Sequence, residues 1–281
     1  MGVIDIVEKP SSGGVALDII DRASEIISKV RTAARVRVVR TLRGGFQDAP
    51  PPKASEPVTA IPSPGPQTLP SFNFPEGVPQ VIAIGASTGG PHALQELLRG
   101  MPFEYFPPIL VVQHLPEKFT REFAMQLDAI SSLEINEAEH GQQIKRGQVY
   151  LAPGGFHLQI DSHGCLVVSE DPPVNHCRPS VDVLFHSLAR HYGPHVLAFV
   201  LTGMGEDGAK GSVAIKRAGG TVLVQDEASC VVFGMPGAAI KAGGVDGVLS
   251  VDNLKKVLIR VGEKASGPTV PRSTTPSIAR P

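Results

Sequence analysis

Four short apolar runs limit what this chain can fold into: VIAIG from Val81, ILVVQH from Ile109, VLAFVLTG from Val196 and TVLVQD from Thr221. Each is apolar on successive residues, not alternate ones, which suits a strand buried on both faces. Segments with helical spacing separate or follow them: HALQELL, TREFAMQLDAI, SVDVLFHSLARHY, KGSVAIKRAG, GAAIKAG and DNLKKVLIRVG. Strands alternating with amphipathic helices predict an α/β fold, a doubly wound and mostly parallel sheet with helices on both faces. QVYLAP, from Gln148, adds a strand. HLQIDSHGCLVVS reads as a small antiparallel hairpin with its turn near Ser162, His163 and Gly164. Sites in such folds form beyond the carboxyl ends of the strands.

The rest of the chain is organised differently. Ten of the 26 prolines fall between Phe46 and Gln80, a composition that buries little apolar surface and favours extended conformers. Residues 46–78 therefore read as a linker, and residues 263–281 as a disordered tail. Residues 1–45 hold one strand pattern, Val3 to Val7, and one amphipathic helix, Val15 to Val30, too little to form a core alone. Residues 79–262 carry the main domain.

Bulk properties exclude several classes. A formal net charge of −1 gives no basic footprint for nucleic acid. Three widely spaced cysteines, Cys165, Cys177 and Cys230, form no CxxC pair and suggest a reducing compartment. No apolar run reaches the ~20 residues of a membrane span, and MGVIDIVEKPSS lacks the apolar core of a signal peptide. The chain is expected to be soluble and cytoplasmic, with no direct membrane insertion.

Three strand patterns end in residues with chemistry. VIAIGAS ends in Ser87, ILVVQH in His114, and VLAFVLTGMGED in Asp207. A parallel sheet would set all three on one rim, where they could form a nucleophile, a base and an orienting carboxylate. Gly85 to Gly89 fits G-x-S-x-G, whose small residues allow a sharp turn from strand to helix. The N–H groups of Thr88 and Met204 are candidate oxyanion donors. Each residue also has a plainer reading. GASTGG could be a turn, or could cradle a phosphate at a helix N-terminus in a non-enzymatic nucleotide- or phosphate-binding module. It lacks the third glycine of G-x-G-x-x-G and the Lys-Ser/Thr of a Walker loop. His114 could be structural, with His140 and His157 competing as base and His186 expected to be structural. Asp207 could cap the helix that follows it. Cys230 is expected to be a packed thiol. Cysteine and histidine spacings show no zinc pattern.

Six stretches together are more specific: IGASTGGPHAL, VVQHLPEKFTREFA, GQVYLAPGGFHL, RPSVDVLFHSLA, VLTGMGEDGAKG and QDEASCVVFGMPGAA. In order and spacing, they resemble the catalytic domain of the CheB-type chemotaxis response-regulator methylesterases. The resemblance implies hydrolysis of glutamate methyl esters on the cytoplasmic helices of chemoreceptors, releasing methanol, with deamidation of receptor glutamines. It implies Ser87 as nucleophile, His114 as base, Asp207 as orienter, and Thr88 and Met204 as oxyanion donors. No metal or organic cofactor is expected. The stretch Asn175-His176-Cys177-Arg178 departs from the family in carrying fewer basic residues, and Gly237 stands where a charged residue is common. Both are expected to lie off the triad and to bear on receptor choice. The segment DIVEKPSS and its helix resemble the last strand and helix of a receiver domain, with Lys9-Pro10 as its conserved pair. The phosphoacceptor aspartate is missing, which implies a truncated chain or a start codon placed too late. The histidine kinase of the chemotaxis array would be a partner only with a full receiver. A pathway other than swimming remains compatible with the same chemistry.

Overall fold

The computed structural model describes residues 74, 77–101 and 106–266. The expected receiver remnant, nearly all of the linker, and the tail from residue 267 lie outside these residues.

The main sheet has seven strands: β1 (Val81–Ala86), β2 (Ile109–Gln113), β3 (Glu134–Glu137), β4 (Gln148–Leu151), β7 (Val196–Val200), β8 (Thr221–Gln225) and β9 (Gly247–Leu249). Their order is β3-β4-β2-β1-β7-β8-β9, and every pair is parallel. The expected hairpin forms as β5 (His157–Ile160) and β6 (Leu166–Ser169), a separate antiparallel pair. Among the described residues, five helices connect strands, α1 (Gly90–Leu98), α2 (Glu117–Asp128), α3 (Val181–Tyr192), α4 (Ala209–Arg217) and α5 (Gly234–Lys241), and a sixth, α6 (Val251–Ala265), follows β9. No helix among the described residues is long and apolar enough to cross a membrane.

The apolar runs behave as their composition requires. All residues of β1, β2 and β7 are buried, because helices cover both faces. On one face Val81, Ala83, Val112, Ala198 and Val224 join a core with Leu184 and Phe185 of α3, Ile215 of α4 and Met235 of α5. The hairpin adds Leu158, Ile160 and Leu166 to that core. Each of these Val, Leu, Ile, Phe and Met side chains contributes about 1.5–3 kcal/mol on full burial. Helices α1, α2 and α6 form the second layer, with α1 packed on both of the others.

Two strands escape sequence reading. Strand β3 lies at a sheet edge with alternating exposure, so its residues Glu134 to Glu137 carry no apolar run. Strand β9, at the other edge, has three residues, too few for a pattern. Helix α6 continues to Ala265, three residues past the expected domain end.

The strand order reverses at β1. The chain leaves β1 toward β2 on one side and later returns to β7 on the other. Pairing continues past the strand ends: Leu201 N–H donates to Gly85 O at 2.8 Å, Ser87 N–H to Thr202 O at 3.0 Å, and His114 N–H to Ala86 O at 3.0 Å. The carboxyl ends of β1, β2 and β7 are thereby tied into one rim at the topological switch point, where open α/β sheets place their sites.

Candidate active site

Ser87 sits in the turn between β1 and α1. Gly89 closes that turn as the N-cap of α1 with φ 81°, a left-handed conformation that favours glycine. A Cβ there would also lie 2.6 Å from the Val231 side chain. The Ser87 carbonyl accepts from Gly90 N–H at 2.8 Å and from the Gln113 side-chain amide at 2.9 Å. Gln113 is 1% exposed and also donates to His114 O, so one amide ties the serine turn to the histidine. Thr202 holds the other side: its hydroxyl donates to Thr88 O at 2.9 Å and accepts from Val232 N–H at 2.9 Å. Gly203 packs so closely that a Cβ on it would stand 2.8 Å from Ser87 Cβ. The turn bearing Met204 is therefore adjacent to Ser87, and Thr88 follows it directly.

His114 and Asp207 meet. His114 Nε2–H donates to Asp207 Oδ2 at 2.9 Å. Asp207 is 2% exposed and accepts four further hydrogen bonds: from Val181 N–H at 2.7 Å, Ser180 Oγ–H at 2.7 Å, Asp182 N–H at 3.1 Å and Asn175 Nδ2–H at 2.9 Å. Burial alone would raise its pKa. The His114 hydrogen bond and charge, with the bonds from Ser180 and Asn175, hold it below the ordinary carboxylate value. Burial alone would lower that of His114. Its bond to Asp207, with a contribution from Cys177, instead raises it well above the ordinary imidazole value. The resting pair is thus an imidazolium–carboxylate pair.

Helix capping differs from expectation. Asp207 does not cap the helix that follows it; the N-cap of α4 is Gly208, in a left-handed conformation with no side-chain cap. Its carboxylate instead takes the first N–H groups of α3, those of Val181 and Asp182. These are donors that no carbonyl within a helix can satisfy, and a carboxylate there complements the helix dipole.

The loop expected to lie off this centre lies on it. Cys177 Sγ is 3.7 Å from His114 Nδ1 and 3.4 Å from the Asn175 carbonyl, while Asn175 bonds Asp207. Basic-residue count gave no sign of this, because the contacts come from a turn that folds back over the rim. Gln113, Thr202 and Ser180 were also missed. Gln113 and Thr202 each end an apolar strand run, a polar signal that the sequence does display.

Among the described residues no hydrogen bond joins Ser87 Oγ to His114. The carboxylate–imidazole half of the expected relay is formed, and Nδ1 is the ring nitrogen that accepts a proton once the imidazolium has lost one. Such contacts are often loose before substrate binds. The competing histidines are placed elsewhere. His157 is buried with both nitrogens engaged, accepting from Ser180 N–H and bonding Pro172 O. His140 and His186 are exposed, His186 on α3. Burial pushes the half-buried Cys230 thiol up to about 12, which makes it unreactive. Donor atoms of His114, Cys177 and Asp207 lie within 4.8 Å of one another. Asp207, however, already accepts five hydrogen bonds, so this trio is poorly suited to a metal ion. The turn is also a poor phosphate cradle: Gly90 N–H is taken by Ser87 O, and Pro91 has no N–H to offer.

Residues 82–258 match the family model described as CheB methylesterase. The chain is 40% identical over 266 residues to a protein-glutamate methylesterase/protein-glutamine glutaminase of Paraburkholderia xenovorans, covering 93% of this chain and 70% of that protein. It is 41% identical over 279 residues to protein-glutamate methylesterase/protein-glutamine glutaminase 1 of Paramagnetospirillum magneticum, covering 94% and 71%. The crystal structure of the Thermotoga maritima CheB methylesterase catalytic domain superposes with a TM-score of 0.63 at 41% identity, covering 65% of this chain and 98% of that one.

Proposed function

The chain belongs to the CheB methylesterase family, and from that premise we propose that Ser87, His114 and Asp207 carry its reaction. It is a protein-glutamate methylesterase/protein-glutamine glutaminase, the adaptation enzyme of chemotaxis. The reading of GASTGG as a binding loop is set aside.

The observation that carries the site assignment is the pair of partly exposed His114 and buried Asp207 on the rim where β1 delivers Ser87. Imidazole Nδ1, in its neutral form, takes the Ser87 proton as Oγ attacks the ester carbonyl. Asp207 stabilises the imidazolium and fixes Nε2 as the protonated nitrogen. Thr88 and Met204 N–H groups donate to the oxyanion. The leaving methoxide takes the proton back from His114 as methanol. Water then attacks the acyl-enzyme by the same relay in reverse. A glutamine carboxamide presents the same carbonyl, with ammonia leaving.

The substrate we assign is the cytoplasmic helical region of methyl-accepting chemoreceptors, which places the enzyme in the cytoplasm. We assign residues 1–45 to a receiver-type segment. The match to the relatives spans 93% of this chain and so reaches into that segment.

The test is methanol release from membranes carrying labelled, methylated chemoreceptor. Ser87→Ala should lower release about 10³-fold or more, the scale for losing a nucleophile in a relay. Release by a folded Ser87→Ala protein at the parent rate would overturn the assignment.

A further inference from the structure

We propose that Asn175 is a positioning residue for this reaction, one that aims the Asp207 carboxylate at His114 and separates it from a second buried carboxylate, Asp182. The proposal rests on the catalytic reading of Ser87, His114 and Asp207.

The two hydrogens of the Asn175 amide are both spent on carboxylates. Nδ2 donates to Asp207 Oδ1 at 2.9 Å and to Asp182 Oδ2 at 2.7 Å. Both acids are 2% exposed. Asp182 Oδ1 accepts from Gly211 N–H at 2.7 Å, and among the described residues it forms no ion pair. Among the described residues, the only cation paired with either acid is the His114 imidazolium. Two like charges buried this close repel unless donors lie between them, and the Asn175 amide is that donor.

The backbone is built to deliver it. Val174 and Cys177 exchange both N–H···O bonds, at 3.1 and 2.9 Å. The two residues between them are left-handed, Asn175 at φ 52° and His176 at φ 61°, the pattern of a tight type I′ turn, in which asparagine is favoured. The loop is anchored beneath by His157, which joins Pro172 O to Ser180 N–H. One turn therefore touches both ends of the pair: Asn175 on the carboxylate and Cys177 on the ring nitrogen that does not face Asp207. The titratable groups facing the pair are Cys177 at His114 and Asp182 across the amide, with His157 behind Ser180.

The experiment compares Asn175→Gly with the parent chain, using methanol release from methylated-receptor membranes. Glycine keeps the left-handed backbone without strain and removes only the amide. The expected result is a kcat lower by about 10-fold or more, with KM within about twofold because the amide bonds two carboxylates of the protein and not the substrate. The acidic limb of the kcat/KM profile should also move to higher pH, since an Asp207 freed of one donor binds the imidazolium more strongly. Asp182→Asn in the Asn175→Gly background should recover part of the loss by removing the repelling charge. A folded Asn175→Gly with parent kcat and an unmoved limb overturns the proposal. So does a loss of stability with unchanged kcat per folded molecule and an unmoved limb. Ser87→Ala, run alongside, separates the two readings: if it alone is inactive, only the role of Asn175 fails, and if it remains active, both fail.

Discussion

His114 is useful as a base only when neutral, yet its bond to Asp207 favours the proton-bearing form. The rate should therefore climb with pH along a limb that lies above 6.5, the ordinary imidazole value. A kcat/KM profile for methanol release checks this, and a limb at or below 6.5 would count against it. The same pairing acts on stability with a definite sign. For His114, whose folded pKa is raised, the stabilisation is complete below about 6.5 and fades as pH rises through the raised value. For Asp207, whose folded pKa is depressed, it is present above the ordinary 3.8 and is lost as pH falls through the lowered value. His114→Gln should thus cost more stability at about pH 6 than at about pH 9, as read by urea titration of both proteins. The three residues proposed for the relay stand out in the sequence because each follows an apolar run. Asn175 was not, because nothing local marks a turn whose side chain reaches residues 32 positions away.

Among the elements, the β7 end approaches the β1 end closely. A methyl group on Gly203 would stand 2.8 Å from Ser87 Cβ and 2.3 Å from the Met235 sulfur. The sulfur can swing away; the serine turn is fixed by Thr202 and Gln113. Gly203→Ala should therefore lower methanol release at least about 10²-fold while moving the thermal midpoint by only a few degrees, on the order of a 1 kcal/mol change. An equal loss of midpoint and activity would show that the effect is general unfolding. Helices and buried strands were legible because burial on both faces leaves long apolar runs and a helical period. Strands β3 and β9 were hidden for the opposite reason, since an edge strand has one covered flank and needs few apolar residues.

For the whole molecule, the order of the seven strands matters more than their number. Strand β1 lies at the centre with β2 and β7 on either side, all three paired on both sides and fully buried, while β3 and β9 are edges. Amide hydrogen exchange should be slowest in β1, β2 and β7 and fastest, within the sheet, in β3 and β9; protection of the edges equal to that of the centre would be inconsistent with this topology. The alternation of strands and helices in the sequence implied a parallel sheet, but not that β4 would insert between β2 and β3, since that depends on packing between segments distant in sequence.

The double duty of Asp207 carries a practical consequence for anyone wanting a silent form of this enzyme. Its carboxylate closes the first turn of α3 as well as facing the imidazole, so replacing it inflicts two lesions at once, one chemical and one architectural. A phenotype from such an allele would be uninterpretable in a living cell, where a misfolded adaptor and an inactive one fail alike. The serine, whose hydroxyl holds up no helix, is the clean place to cut.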